Sequence, residues 1–363
     1  MKLNQQFFIF SLFLISSLRA LGTPFLSVNP SINIVSVNSL PADSILPKST
    51  SKYYDDYSNK FSLFLYAKEK YNSFSIYDPL SKKQLDYTPN KQLNMGFGFH
   101  YKWMGIGIAL NFGFVNHDDN LYGDTKRIDL QTNAYMNKAV FDFYFQYYEN
   151  FYIENPEDAF SGWTGGNKPY VRPDIGALTM GLSGLYIFNH KQFSYKAAFV
   201  QTAIQKKSSG SFLLGGSVFL QGVEGDSSLL PISSDFNTLP QVKAHSGLYF
   251  GLVAAYAYSF TIRKYFFISL SLSATIEAGK VTNQFESNLI SSSWVPIFHV
   301  QPRMAVGYNK PKWYLGFSFV RDTYFEGSKD KDDLEFSFSS GNLRLFTGMR
   351  FNWFSGSSTR YRE

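Results

Sequence analysis

The chain has 363 residues, no cysteine, and a formal net charge of +6 from 34 Lys and Arg against 28 Asp and Glu. The lack of Cys excludes a disulfide framework and lipoprotein acylation, and a charge spread this thinly does not mark a nucleic-acid partner. Aromatic residues make up 18% of the chain, with 37 Phe and 25 Tyr, yet mean hydropathy is only −0.17.

Residues 1–22 read as a secretory signal peptide. Lys2 supplies the positive start, residues 7–17 the apolar stretch, and Ala20-Leu21-Gly22 a small-x-small cleavage site. Cleavage there would remove Lys2 and Arg19 and leave a formal charge of +4. Beyond this leader no run of roughly 18 apolar residues provides a helical span. Residues 23–58, rich in Ser, Asn and Pro, lack sustained alternation and read as a periplasmic lead-in or, alternatively, a partial plug.

From Phe61 onward the chain alternates with period 2. Leu93, Met95, Phe97, Phe99 and Tyr101 fall on one face, with Asn94, Gly96, Gly98 and His100 on the other. Residues 266–275 set Phe266, Ile268, Leu270 and Leu272 against Ser269, Ser271, Ser273 and Thr275, and residues 313–319 repeat the rhythm. Strands with one apolar and one polar face, together with many rings for two aromatic girdles, predict an all-β, transmembrane, antiparallel up-and-down β-barrel. It should occupy residues 59–354, with a tail at 355–363.

Short links are expected at 103–104, 137–138, 188–192, 262–264 and 309–311. Longer ones fall at 78–91, 116–125, 149–171, 224–245, 280–292 and 322–340. Their strict alternation predicts about twelve strands with both ends on the periplasmic side. Residues 192–222 strain this count, because a single strand there must absorb Lys206-Lys207-Ser208-Ser209-Gly210 as a bulge near the outer rim. Were that segment a hairpin, with a second break at Glu69-Lys70, fourteen strands would result. The last strand ends at Trp353-Phe354, ahead of the tail, although barrels read by the assembly machinery usually finish on an aromatic residue.

The run Phe188-Asn189-His190-Lys191-Gln192-Phe193-Ser194-Tyr195-Lys196-Ala197-Ala198-Phe199, continuing through Gln205-Lys206-Lys207-Ser208-Ser209-Gly210-Ser211-Phe212, resembles the hallmark of a Bacteroidota family catalogued as domain of unknown function 4421. Tyr170-Val171-Arg172-Pro173-Asp174 and Gly225-Asp226-Ser227-Ser228-Leu229 are further matching pieces. The resemblance implies an outer-membrane barrel of a Gram-negative bacterium. It brings no activity, cofactor or catalytic residue.

Chemistry must then be sought on the inner face. Alternation places Arg127, Asp129, Gln131 and Asn133 there on one strand and Asp142 on the next, followed by Glu277, Arg303, Arg344 and Arg350. These residues read either as a constriction selecting solutes by charge or as a salt-bridged filling of a medium-sized barrel. Gly96, Gly98, Gly105, Gly107, Ala109, Gly113, Gly251, Ala255 and Ala257 share that face and leave space for bulky neighbours, an inserted segment or a solute. Lys206, Lys207, Ser208 and Ser209 read as contacts for an anion or lipid phosphate, or as protection of a strand edge. A lipid hydrolase would draw on His117 or His245, but no Gly-x-Ser-x-Gly elbow accompanies either.

The leading expectation is an outer-membrane pore or uptake channel for a small solute. A structural or ligand-binding barrel without conductance is the alternative, and a lipid-modifying hydrolase the third. Expected partners are outer-membrane lipids and the barrel-assembly machinery, with no nucleic acid, metal or cofactor.

Overall fold

The computed structural model describes residues 31–33, 51–90, 92–101, 104–111, 119–166, 168–231, 241–330 and 332–352. The expected signal peptide, most of the lead-in, His117, Trp103 and the 355–363 tail lie outside the described residues.

In chain order the strands are β1 (Ser31–Asn33), β2 (Tyr54–Asp56), β3 (Phe61–Asp78), β4 (Lys83–Pro89), β5 (Gln92–Tyr101), β6 (Met104–Asn111), β7 (Lys126–Tyr135), β8 (Ala139–Ile153) and β9 (Tyr170–Ile187). They continue as β10 (Ala203–Gln205), β11 (Ser209–Glu224), β12 (Val242–Ile262), β13 (Phe266–Phe285), β14 (Ile290–Asn309), β15 (Trp313–Glu326) and β16 (Glu335–Phe351). Three single-turn helices, α1 (Asp119–Tyr122), α2 (Pro156–Ala159) and α3 (Tyr195–Phe199), lie in the connections.

All ladders are antiparallel, and the hydrogen-bonded circuit closes. It runs β3, β4, β8, β9, β11, β12, β13, β14, β15, β16 and back to β3, so ten strands form the ring instead of the expected twelve. The difference arises in β3, whose far half pairs with β4 from Phe74 to Asp78 while its near half pairs with β5 from Ser62 to Lys70. Because β4 then pairs directly with β8 through Tyr87↔Ile153 and Pro89↔Phe151, β5, β6 and β7 stand outside the circuit. The fourteen-strand alternative also fails, since Glu69 and Lys70 sit inside β3 and Lys206 precedes β11.

The physical logic is inverted relative to a water-soluble sandwich. On β13 the side chains of Ser269, Ser271, Ser273, Thr275 and Glu277 are buried, whereas Leu270, Leu272 and Ile276 are exposed. Leu252 and Ile276 are each 75% exposed, an arrangement stable only where the surrounding medium is apolar. Rings flank this belt near the short-turn end, as in Tyr186–Phe188, Phe212–Tyr256 and Tyr308–Trp313, with centroids 5.4, 4.9 and 5.3 Å apart. Lys310 lies over the last pair, 5.3 Å from Tyr308 and 6.0 Å from Trp313, an apolar stem with its charge held at the boundary. With 20 or 21 residues each, β12, β13 and β14 exceed the roughly 9–11 residues a crossing needs. They therefore extend past the belt at the long-loop end, and the expected 280–292 link shrinks to residues 286–289.

Two interior glycines show how the lumen is filled. Tyr66 and Phe64 stand opposite Gly96 and Gly98 in the β3–β5 ladder, and a Cβ on either glycine would collide with the facing ring. The small residues of this face make room for aromatics.

Candidate functional site, a plugged and charged lumen

At the short-turn end the 188–208 connection folds inward, which corrects the expected long strand across 192–222. The reason lies in its side chains: Phe193, Tyr195, Ala198 and Phe199 are buried against Leu185, Leu213 and Phe267 of the barrel wall, a burial that an extended strand could not give both faces. Tyr195 meets Tyr135 edge to face at 5.0 Å. The backbone beyond α3 is held by three wall side chains. Arg344 Nη2 donates to the Phe199 carbonyl at 3.1 Å, Asn309 Nδ2 to the Ala203 carbonyl at 3.0 Å, and Arg350 Nη2 to the Gln201 carbonyl.

Residues 53–57, at the end of the lead-in, join this plug. β2 pairs with β10, and Lys196 and Lys206 form ion pairs with Asp56 and Asp55 at 2.5 and 2.8 Å. Lys206, Lys207, Ser208 and Ser209 thus stand at the short-turn end, not on a bulge near the outer rim. Lys207 lies over the Tyr53 ring at 5.8 Å, Ser208 Oγ accepts from the Thr261 amide, and Ser209 Oγ from Asn189. The rim placement failed because it assumed that the strand began at 192 rather than 209.

Burial pushes the Asp56 carboxyl up, but the Lys196 charge and hydrogen bonds from Lys196 and Ser58 outweigh it, holding the group below its ordinary value of 3.8. The sign follows from linkage: a depressed folded-state pKa stabilises the plug above the ordinary carboxylate value, and that contribution is lost as pH falls through the lowered one. Amide resonances of residues 203–205 should therefore stay at their native positions at pH 5 and lose them in stronger acid. In Asp56→Asn the same loosening should already be present at pH 5. Identical acid profiles for both proteins would contradict this role of the carboxylate.

Midway along the barrel, charged residues meet across the lumen. Arg303 of β14 binds Asp142 of β8 through Nη2 at 2.6 Å, and the two strands lie on opposite sides of the ring. Arg303 also donates to the Tyr135 hydroxyl at 2.5 Å and to Gln301 Oε1 at 2.9 Å, while Tyr135 donates to Asp142 Oδ1 at 3.0 Å. Gln301 continues the network to Tyr144 at 3.1 Å and to Asp322, which also lies 3.1 Å from His299 Nε2. A second inward ion pair joins Lys70 of β3 to Asp129 of β7 at 2.7 Å, with Tyr148 donating to the same carboxylate at 2.6 Å. Between these networks lies a polar cavity of about 90 Å³, room for a few water molecules.

The long-loop end is closed by apolar packing. Leu229 and Leu230 from the 225–231 loop are fully buried beside Phe74, Tyr87, Phe151 and Phe160. Arg172 of β9 donates to the Ser228 carbonyl of this loop at 2.9 Å and pairs at 2.7 Å with Asp174, which accepts from the Asp226 amide at 3.1 Å. Below it His245 lies 2.9 Å from Glu326 and stacks on Phe336 at 3.8 Å.

Arg127, Asp129, Asp142, Glu277, Arg303, Arg344 and Arg350 stand on the inner side of the wall. Besides these ion pairs, Arg127 donates to Asn94 at 3.1 Å and Glu277 accepts from Ser217 at 2.5 Å, while Arg344 and Arg350 hold the plug. Lys68, Lys70, Tyr135, Gln301 and Asn309 were missed. Lys68 and Lys70 share the face of Ser62, Phe64 and Tyr66, opposite Leu63 and Leu65, so alternation did carry the signal for them.

These features define a membrane β-barrel whose lumen is filled by its own side chains and a folded-in plug. The chain belongs to the family described as domain of unknown function (DUF4421), whose model matches residues 43–351. No curated protein matches the sequence. Among solved structures, the outer membrane protease OmpT from Escherichia coli is 6% identical, with 83% of this chain and 100% of that chain covered and a TM-score of 0.39. The toluene transporter TodX from P. putida is 5% identical, with 81% and 90% covered and a TM-score of 0.23. OccK9 from Pseudomonas aeruginosa is 10% identical, with 82% and 100% covered and a TM-score of 0.17.

Proposed function

We propose that this protein is an outer-membrane barrel that acts by binding within a closed lumen rather than as an open passive pore. The exposed apolar belt supports contact with membrane lipid, and the even ring with both ends at the short-turn side supports the outer-membrane arrangement. One observation carries the reading: along the barrel axis the lumen is occupied by the α3 plug, the Arg303–Asp142 crossing with the Lys70–Asp129 pair beside it, and the Leu229–Leu230 cap. A solute of the size of a sugar would have to displace all three layers.

A gated channel is the second reading, favoured by the polar character of the plug's attachments, which include two ion pairs with side chains about one-third exposed or less. For lipid hydrolysis the barrel supplies two acid–imidazole pairs, His245–Glu326 and His299–Asp322. Among the described residues no Ser or Thr hydroxyl is bonded to either imidazole.

The deciding measurement is planar-bilayer recording of the refolded chain starting at Thr23, beside a version starting at Tyr57. Both should be silent, because the central ion pairs and α3 remain in each. Steady conductance from the longer chain would overturn the closed-lumen reading, and conductance from the shorter one alone would select the gated channel.

A further inference from the structure

The β3–β16 register sets Lys68 directly opposite Arg344, and both side chains line the central cavity. Like charges facing each other across a ladder are destabilising, and both side chains are half-buried, where water screens the repulsion only in part. Here, among the described residues, neither group forms an ion pair with a carboxylate, and Asp129, the one carboxylate whose charge acts on Lys68, is held by Lys70 at 2.7 Å. The lumen ion pairs use Lys70 with Asp129 and Arg303 with Asp142. Arg344 gives one N–H to the Phe199 carbonyl and stacks over Phe346 at 4.7 Å, and the Lys68 ammonium makes no hydrogen bond to a described residue.

The rest of the cavity wall suits an anion rather than a cation. Ser318, Ser340, Asn342 and Asn133 offer hydroxyl and amide donors. Asp142 and Asp322 also reach the wall, but Asp142 is engaged by Arg303 and Tyr135, and Asp322 by Gln301 and His299. We propose that the cavity is a binding site for one small free oxyanion, a phosphate or a short carboxylate, bridging Lys68 Nζ and the Arg344 guanidinium. A guanidinium beside an ammonium recognises such an ion through paired, charge-assisted hydrogen bonds. A cavity of about 90 Å³ is too small for a lipid headgroup with its chains. The inference rests on the closed-lumen reading and names the ligand class for it. Because Arg344 also holds the Phe199 carbonyl, a bound anion and the plug share one side chain.

The test uses the full chain refolded in a neutral detergent, with inorganic phosphate and acetate as probes against chloride at matched ionic strength. Equilibrium dialysis should show saturable binding of one phosphate or acetate per chain, weakened at least tenfold in Lys68→Met and in Arg344→Met. Lys207→Met, outside the cavity, should bind as the parent does. In chloride alone Lys68→Met should melt higher than the parent, since it relieves the repulsion, which also shows that loss of binding is not loss of folding. Absence of stoichiometric binding by both probes, or equal binding by parent and Lys68→Met, would overturn the site. Bilayer conductance with intact anion binding would overturn only the closed-lumen reading, whereas a silent barrel that binds neither probe would overturn only the anion site.

Discussion

Arg303→Ala is expected to destabilise the refolded barrel by about 3–5 kcal/mol, the range for breaking a buried ion pair by removing one partner. The magnitude follows from what remains. Asp142 is nearly buried, with a side chain 7% exposed, and after the change it keeps the Tyr135 hydroxyl as its only nearby donor from this network. Gln301 would lose the Nε contact that orients it toward Tyr144 and Asp322. The paired change Arg303→Met with Asp142→Leu should recover most of the loss, because replacing both charges by apolar groups avoids an uncompensated charge. Denaturant midpoints of the three variants in the same detergent measure this. A loss below about 1 kcal/mol in Arg303→Ala would mean that the lumen solvates Asp142 as a surface would.

Arg350→Ala should instead act locally, on the plug. Its guanidinium donates to the carbonyls of Lys310 and Gln201 and to Asn309 Oδ1, and lies over the Tyr57 and Tyr314 rings at 5.2 and 4.7 Å. One side chain thus joins the lead-in, the plug and the wall. Hydrogen bonds to a charged group contribute roughly 1.5–3 kcal/mol each, and water entering at the short-turn end would replace part of that. The opening free energy of residues 195–205 should fall by about 2–3 kcal/mol. At about 1.4 kcal/mol per tenfold, amide exchange there should rise roughly 30- to 150-fold. Exchange in β12, β13 and β14 should not change. A uniform rise across those strands would show a general loss of stability, and no rise in 195–205 would show that the plug is held by its apolar face alone.

Much of the lumen was legible because facing direction is a local property. A residue's side of the wall follows from the parity of its neighbours, so Asp142 between Phe141 and Phe143, or Arg303 two residues from Gln301, is assigned inward without knowing what stands opposite. Which residues meet is different. Arg303 and Asp142 are 161 positions apart, and Lys70 meets Asp129 only because β4 pairs with β8 and so brings β7 near β3. The strand count failed for a similar reason, since nothing local to β4 announces that it pairs with β8.

The 188–208 segment misled for a further reason. Its apolar residues were counted as strand, yet Phe193, Tyr195 and Phe199 bury inside a lumen whose free space depends on Gly and Ser positions in distant strands. By itself the amino-acid sequence determined the strand rhythm, the apolar exterior and the charged interior, which depend on period and composition, while the family resemblance lay in particular motifs such as that of residues 188–212. Only the tertiary structure decided that the ring has ten strands, that the plug comes from 188–208 together with the end of the lead-in, and that Lys68 and Arg344 face one cavity. Register, ring closure and packing couple residues with no proximity along the chain, and the free energy that selects among such couplings belongs to the whole barrel.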